Sequence, residues 1–231
     1  AEERLKHVDN LNAGLTRIHP DIHRLGWQDK DNPGQLDPRA FDYDNEEWME
    51  AWKEQGSYDL LAAVESNLQN SNVVLLLGSL PQWLVKDSEF RNKLRRQGTG
   101  AWGWTSHPHD MDVWRQWALK HVEMFHENPV FPKAKLAYVE ILNEPSLFHY
   151  FGDREDWNDP TRPNKAVTGE RMVPKYIETY VTAAKAIKEK YPELKICGPV
   201  LHQGFTWRDN WGWNTWLGPF LKEAGAYCDV I

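Results

Sequence analysis

The sequence predicts an α/β fold, a parallel sheet with helical crossovers of the (β/α)8 TIM barrel type, present in part. Three observations carry this. Strand-like runs alternate with single helical stretches along the chain, the pattern of right-handed βαβ units. Val73 to Ser79 (VVLLLGS) is apolar without polar alternation, as expected of a strand buried on both faces. The phosphate-binding pattern GxxxxGK[ST] does not occur, and such glycine patterns often mark the other architecture that fits, a doubly wound open sheet.

The elements follow in order. Leu5, Val8 and Leu11 share one face of a helix over residues 2–12. Gly14 to His19 (GLTRIH) reads as a short strand ended by Pro20, and residues 46–70 as helical with a break near Gly56-Ser57. After the strand Val73 to Ser79 comes a loop over 98–109, and Asp110 caps a helix reaching about Glu127. Leu136 to Leu142 (LAYVEIL) is the next strand, 173–191 an amphipathic helix closed by Pro192, and Lys195 to Val200 (KICGPV) a fourth strand. Residues 213–225 form a helix, and Cys228 to Ile231 begins a fifth strand.

Four strands and the start of a fifth fall short of the eight that close a barrel, and would leave two apolar edges. The expectation is therefore a partial barrel, about strands 2–6. One strand would precede residue 1, and roughly three αβ units would follow residue 231, as a continuation or a second chain. No linker, repeat or low-complexity segment divides residues 1–231, so a single domain is expected.

Composition narrows the function. The 231 residues are 41% hydrophobic and 13% aromatic, which excludes a disordered chain. A net charge of −7 without a basic cluster weighs against nucleic acid. The longest apolar run, Val73 to Leu77, is far shorter than the ~20 residues of a membrane-spanning helix. Cys197 and Cys228 cannot make a disulfide framework and are expected as buried thiols, with a single bridge as the alternative. The charged opening Ala1-Glu2-Glu3-Arg4 is not a signal peptide, which a mature secreted protein would also lack.

There are thirteen tryptophans, more than Tyr or Phe. Trp27, Trp83, Trp102, Trp104, Trp157, Trp207, Trp211 and Trp213 fall in segments that follow strands, where parallel α/β folds hold their ligands. Indoles there suit the flat CH faces of sugar rings; plugging a loop core and caging a quaternary ammonium are the alternatives. Trp48, Trp52, Trp114 and Trp117 sit at i,i+4 and i,i+3 spacing on helices, where packing explains them.

The sharpest local feature is Val139-Glu140-Ile141-Leu142-Asn143-Glu144-Pro145. Alternation places Glu140, Leu142 and Glu144 on one side of a strand, with Glu144 at its carboxyl end and Pro145 expected to hold Glu144 extended. A carboxyl group at that position suits general acid catalysis or the capping of the next helix equally. Asn143 adds a donor and an acceptor at the same rim.

The ILNEP segment resembles the acid/base signature of clan A glycoside hydrolases, retaining (β/α)8 enzymes, at the end of their fourth strand. GLTRIHPDI, FDYDNEEWMEAW, GSLPQWL and GAYCDVI are similar in order and spacing to other segments of these enzymes, with family 39 β-xylosidase-like and family 86 agarase or porphyranase-like members nearest. The resemblance implies a retaining β-glycoside hydrolase acting on a poly- or oligosaccharide. Glu144 would be the general acid/base, Asn143 would bond the sugar 2-hydroxyl, and Arg17 would orient the nucleophile. That nucleophile, a glutamate ending the seventh strand, would lie outside the chain. His19, Trp83, Trp102, Trp104, His202 and Trp207 are rim candidates by position for contacting sugar. No cofactor or metal is implied, and a secreted or periplasmic location is expected, a cytoplasmic one staying open. A non-catalytic carbohydrate-binding barrel using the same Trp-rich loops is the alternative function.

Two further signals stay in the balance. His107-Pro108-His109-Asp110-Met111-Asp112 has metal-site residue types, which would suit a metal-dependent lyase or hydrolase, but a proline and a helix cap explain it better. Residues 153–165 (DREDWNDPTRPNK) read equally as a specificity loop or a solvated insertion.

Overall fold

A computed structural model describes residues 14–20, 26–67, 72–78, 80–99, 106–162, 164–202 and 212–231. Four parallel strands form one sheet in sequential order: β1 (Leu15–Ile18), β2 (Asn72–Leu77), β3 (Leu136–Ile141) and β4 (Lys195–Cys197). Val230 makes a parallel bridge to Cys197, so the chain's last residues extend the sheet where a fifth strand was expected. The helix foreseen over 2–12 lies outside the described residues.

The helices follow local chemistry. Asn45 caps α1 (Glu46–Lys53) by accepting from Trp48 N at 2.9 Å, and α2 (Gly56–Asn67) begins after the expected break. Asp110 caps α4 (Met111–His126), its carboxylate accepting from the amides of Asp112 and Val113. Next come α6 (Met172–Lys190) and α7 (Gly218–Ala224). The stretch Gly212–Leu217, expected as regular helix, is a π-type turn leading into α7. Besides a short helical turn in the segment 153–165, one longer helix escaped sequence reading: α3 (Ser88–Arg96, SEFRNKLRR) has only Phe90 and Leu94 as apolar residues, and it buries Arg91 completely. A charge at a core position defeats a hydrophobic-period reading.

Strand register sorts the two faces of the sheet. Ile18, Leu75, Leu77, Val139, Ile141 and Ile196 join the helices in one core cluster, while Arg17, Val74, Leu76, Tyr138, Glu140 and Cys197 share the opposite face. The described helix core is thus built against one face of the sheet, as in the wall of a barrel. Its largest members are the helix tryptophans: Trp48 stacks on Trp52 at 5.7 Å, and Trp114 on Trp117 at 5.4 Å. Trp114 Nε1 donates to the Thr179 carbonyl at 2.8 Å, tying α4 to α6.

His121 is embedded in this aromatic layer, fully buried, stacked on Phe41 and edge-on to Trp117, with neither ring nitrogen hydrogen-bonded. Burial, reinforced by the neighbouring His19, pushes its pKa well below the ordinary 6.5. A folded-state value below the unfolded one stabilises the fold fully above pH ~6.5 and less as pH falls. Unfolding free energy should therefore drop by up to about 1.4 kcal/mol per pH unit below 6.5. Urea denaturation of His121→Phe between pH 7 and 5 should lack most of that drop.

Candidate active site

The rim at the carboxyl end of β3 departs from simple alternation. Leu142 N still donates to Leu77 O at 3.2 Å, and Asn143 bridges Val200, but Leu142 has φ +63° and Glu144 φ +43°. Leu142 consequently turns into the core cluster instead of sharing a side with Glu140, and Glu144 is left-handed rather than extended. Directly after it comes a tight turn, closed by Leu147 N donating to Glu144 O at 2.9 Å. Two non-glycine residues with positive φ within three positions store strain, a feature that clusters at functional sites.

From this turn a hydrogen-bonded chain crosses the sheet. Glu140, 6% exposed, accepts from Arg17 Nε at 2.8 Å and from Arg17 Nη2 at 2.5 Å. The same Nη2 reaches Asn143 Oδ1 at 3.0 Å, and Asn143 Nδ2 donates to Glu144 Oε2 at 3.2 Å. A guanidinium only donates, so Arg17 fixes which end of the Asn143 amide faces it and directs the amide nitrogen toward Glu144. The hydrogen bond to Glu140 holds the Arg17 pKa above its ordinary value, against partial burial. Glu140 was not singled out as a site residue, although its side of the strand was the available signal.

Residues 145–162 and 164–168 form a lobe next to this rim. Leu147 bridges Val167, Phe148 N donates to Ala166 O, and Thr168 Oγ1 donates to the carbonyls of Pro145 and Ser146. Within it, Asp153 caps the short α5 (Arg154–Trp157) and is fully buried. Its carboxylate faces Lys86 at 3.0 Å, Lys175 at 3.1 Å and His107 Nε2 at 3.3 Å, while Asp156 meets Lys175 at 3.0 Å. Burial pushes the Asp153 carboxyl up, but hydrogen bonds from His107, Asp156 and Lys86 outweigh it and hold the pKa far below the carboxylate range. Burial and Asp153 together raise Asp156.

Arg91 completes the lobe's attachment, donating to the carbonyls of Phe148 at 2.9 Å, His149 at 2.8 Å and Gly152. Gly152 sits at φ +127°, and a Cβ there would meet the Phe148 ring at 2.5 Å. Residues 153–162 are therefore an anchored lobe and not a solvated insertion. Trp157 packs on Phe148 at 5.1 Å, with Arg162 and Lys165 over its ring.

The other candidates divide. His107 is paired with Asp153, and His109 Nε2 lies 2.8 Å from the Trp83 carbonyl. Among the described residues no group of three or more His, Cys, Asp or Glu is arranged to hold a metal ion. His202 joins the rim through its backbone, its N–H donating to Ser146 Oγ at 3.2 Å. His19 is exposed just past β1. Trp83 is half-buried, its Nε1 donating to Gly26 O at 2.8 Å, and with Trp27, Gln28, Lys30, Asp37, Arg39 and Glu47 it lines a cleft of about 380 Å³. Arg39 is paired with Asp37 at 2.7 Å and lies over the Trp27 ring at 5.6 Å. Trp102, Trp104 and Trp207 lie outside the described residues. Cys197 and Cys228 are free thiols, half-buried rather than buried. No helix among the described residues is long and apolar enough to cross a membrane.

No protein-family model matches the chain, and no curated protein matches it. Solved structures do. A glycoside hydrolase family 39 enzyme from Xanthomonas axonopodis pv. citri aligns with 97% of this chain and 35% of its own, at 17% identity and TM-score 0.57. The fold is similar to that of glycoside hydrolases. A family 86 glycoside hydrolase, crystallised with neoagarooctaose, aligns with 92% of this chain and 31% of its own, at 19% identity and TM-score 0.52. A glucosidase from Croceicoccus marinus aligns with 96% and 37%, at 14% identity and TM-score 0.54. The chain spans about a third of the length of each. The likeness is one of fold, between the sheet with its helices and part of each of these enzymes.

The lobe's attachment is testable by stability. Asp153→Asn should cost about 3 kcal/mol in urea denaturation at pH 7, since Lys86, Lys175 and His107 lose the buried charge they share. The difference should shrink progressively as pH falls below about 4, where protonation of the unfolded-state aspartate increasingly offsets the stability held by the depressed native carboxylate.

Proposed function

We propose that this chain carries the acid/base side of the active site of a retaining β-glycoside hydrolase acting on a poly- or oligosaccharide. The observation that carries the reading is the chain Glu140–Arg17–Asn143–Glu144, ending in a half-buried carboxyl group at the carboxyl rim of a parallel sheet. In this reading Glu144 protonates the departing glycosidic oxygen and then, as a carboxylate, takes a proton from the water that breaks the glycosyl-enzyme. The Asn143 amide nitrogen has two hydrogens. One meets Glu144, and the other is available to an oxygen of the bound sugar.

Retention needs a second, nucleophilic carboxyl about 5 to 5.5 Å from the first. Glu140 is a poor candidate, because Arg17 occupies both of its oxygens. The reading assigns the nucleophile to a residue outside these 231, in the closed barrel of which this sheet would be one part. The neighbour bound to neoagarooctaose lends support for an oligosaccharide substrate. The Trp27–Trp83 cleft, with two indoles and polar groups at its edge, supplies a fitting subsite for one of its rings.

The 231 residues alone should not turn over substrate; in the complete enzyme, Glu144→Gln should lower hydrolysis of an alkyl β-glycoside, whose leaving group needs a proton, by about 10²- to 10⁴-fold. An unchanged rate would remove Glu144 from the mechanism. A complete wild-type protein that binds oligosaccharides without turning them over would favour the binding-barrel alternative instead. Trp83→Ala should raise KM for a long oligosaccharide about tenfold while leaving kcat close to wild type, as removal of uniform binding does.

A further inference from the structure

Arg17 lies close enough to Glu144 for the two charges to interact, yet its guanidinium is committed at two points to Glu140. An unpaired cation at this position would favour the ionised form of any neighbouring carboxyl group, the opposite of what a proton donor needs. Arg17 from β1 and Cys197 from β4, the register partner of Glu140, share its face of the sheet, while Tyr176 of α6 lies in the core on the other face and is the remaining titratable group that senses the Glu140 charge. Burial raises Tyr176 well above its ordinary value and Cys197 to about 11, so both are neutral around pH 7. Arg17 is then left as the charge partner of Glu140 among these groups.

We propose that Glu140 is a positioning residue for the acid/base function assigned to Glu144. It cancels the Arg17 charge that would otherwise act on Glu144, and it clamps the guanidinium that orients the Asn143 amide. The proposal rests on the functional reading above, but its electrostatic content can be measured without turnover.

The test is the pH titration of the Glu144 side-chain carboxyl, followed by ¹³C NMR in the 231-residue chain and identified by its loss in Glu144→Gln. Glu140→Gln leaves Arg17 uncompensated, and the Glu144 midpoint should move down by about one pH unit. Arg17→Gln leaves Glu140 uncompensated, and the midpoint should move up. The double variant Arg17→Gln/Glu140→Gln restores local neutrality, and the midpoint should return to within a few tenths of wild type. Glu140 acting only through packing would produce neither opposite signs nor cancellation. Midpoints that stay put, or move the same way in both single variants, overturn the proposal. Should Glu140→Gln fail to fold, the comparison of Arg17→Gln with the double variant decides: loss of the upward shift supports the proposal, and its persistence overturns it. In a turnover assay of the complete enzyme, Glu140→Gln should move the basic limb of kcat/KM to lower pH. Failure of the functional reading shows separately, as hydrolysis by the complete enzyme that survives Glu144→Gln whatever the titrations give.

Discussion

The pairing of Arg17 with Glu140 across three strands is the constraint on which the site depends. The two residues are 123 positions apart, and the parallel register Arg17↔Val74, Val74↔Tyr138, Leu76↔Glu140 puts both on one face of the sheet. A carboxylate buried this deeply is tolerable only with a partner that satisfies its charge and both its oxygens, and a guanidinium fork does both. Once the fork is fixed, its remaining hydrogen bond sets the Asn143 amide, and that amide meets Glu144. Positions at the rim are thus inherited from register, the most rigid feature of a parallel sheet.

A second set of buried charges holds what lies above the rim. Asp153 and Asp156 gather Lys86 and His107 from the segment after β2 and Lys175 from α6, while Arg91 binds three carbonyls of the lobe. Ionic clusters of this kind are costly to bury and more costly to break singly, so they define one arrangement of the segments they join. The lobe that follows Glu144 is thereby docked on two other parts of the chain, which suits a loop that shapes a substrate cleft. Its stiffness also supports the strained turn at Leu142 and Glu144.

The tryptophans divide along a physical line. On helices, at i,i+4 or i,i+3 spacing, Trp48, Trp52, Trp114 and Trp117 have no exposed surface and build the layer behind the sheet. Trp27 and Trp83, beyond the strand ends, keep part of their rings accessible and line a polar-edged cleft. Trp157 follows a strand too, yet it is packed on Phe148 and flanked by two cations, a lobe-building role. Position after a strand therefore does not by itself leave an indole accessible.

By itself the sequence determined what local chemistry controls. The strands and most helices were legible because apolar period and caps such as Asn45 and Asp110 act within a few residues. The placement of Asn143 and Glu144 at a strand end was legible because Pro145 punctuates it. Tertiary structure alone decided which charges meet. That His107 serves Asp153, that Glu140 takes both ends of the Arg17 fork, and that Arg91 is a core residue of α3 all depend on pairings between segments distant in sequence. It also decided the positive φ at Glu144, against the extended preference of a residue before proline. The physical reason is common to all of these: hydrophobic period and capping are short-range and written in spacing. Charge pairing is long-range and non-directional along the chain, so it acquires an address only when the sheet register brings two strands together.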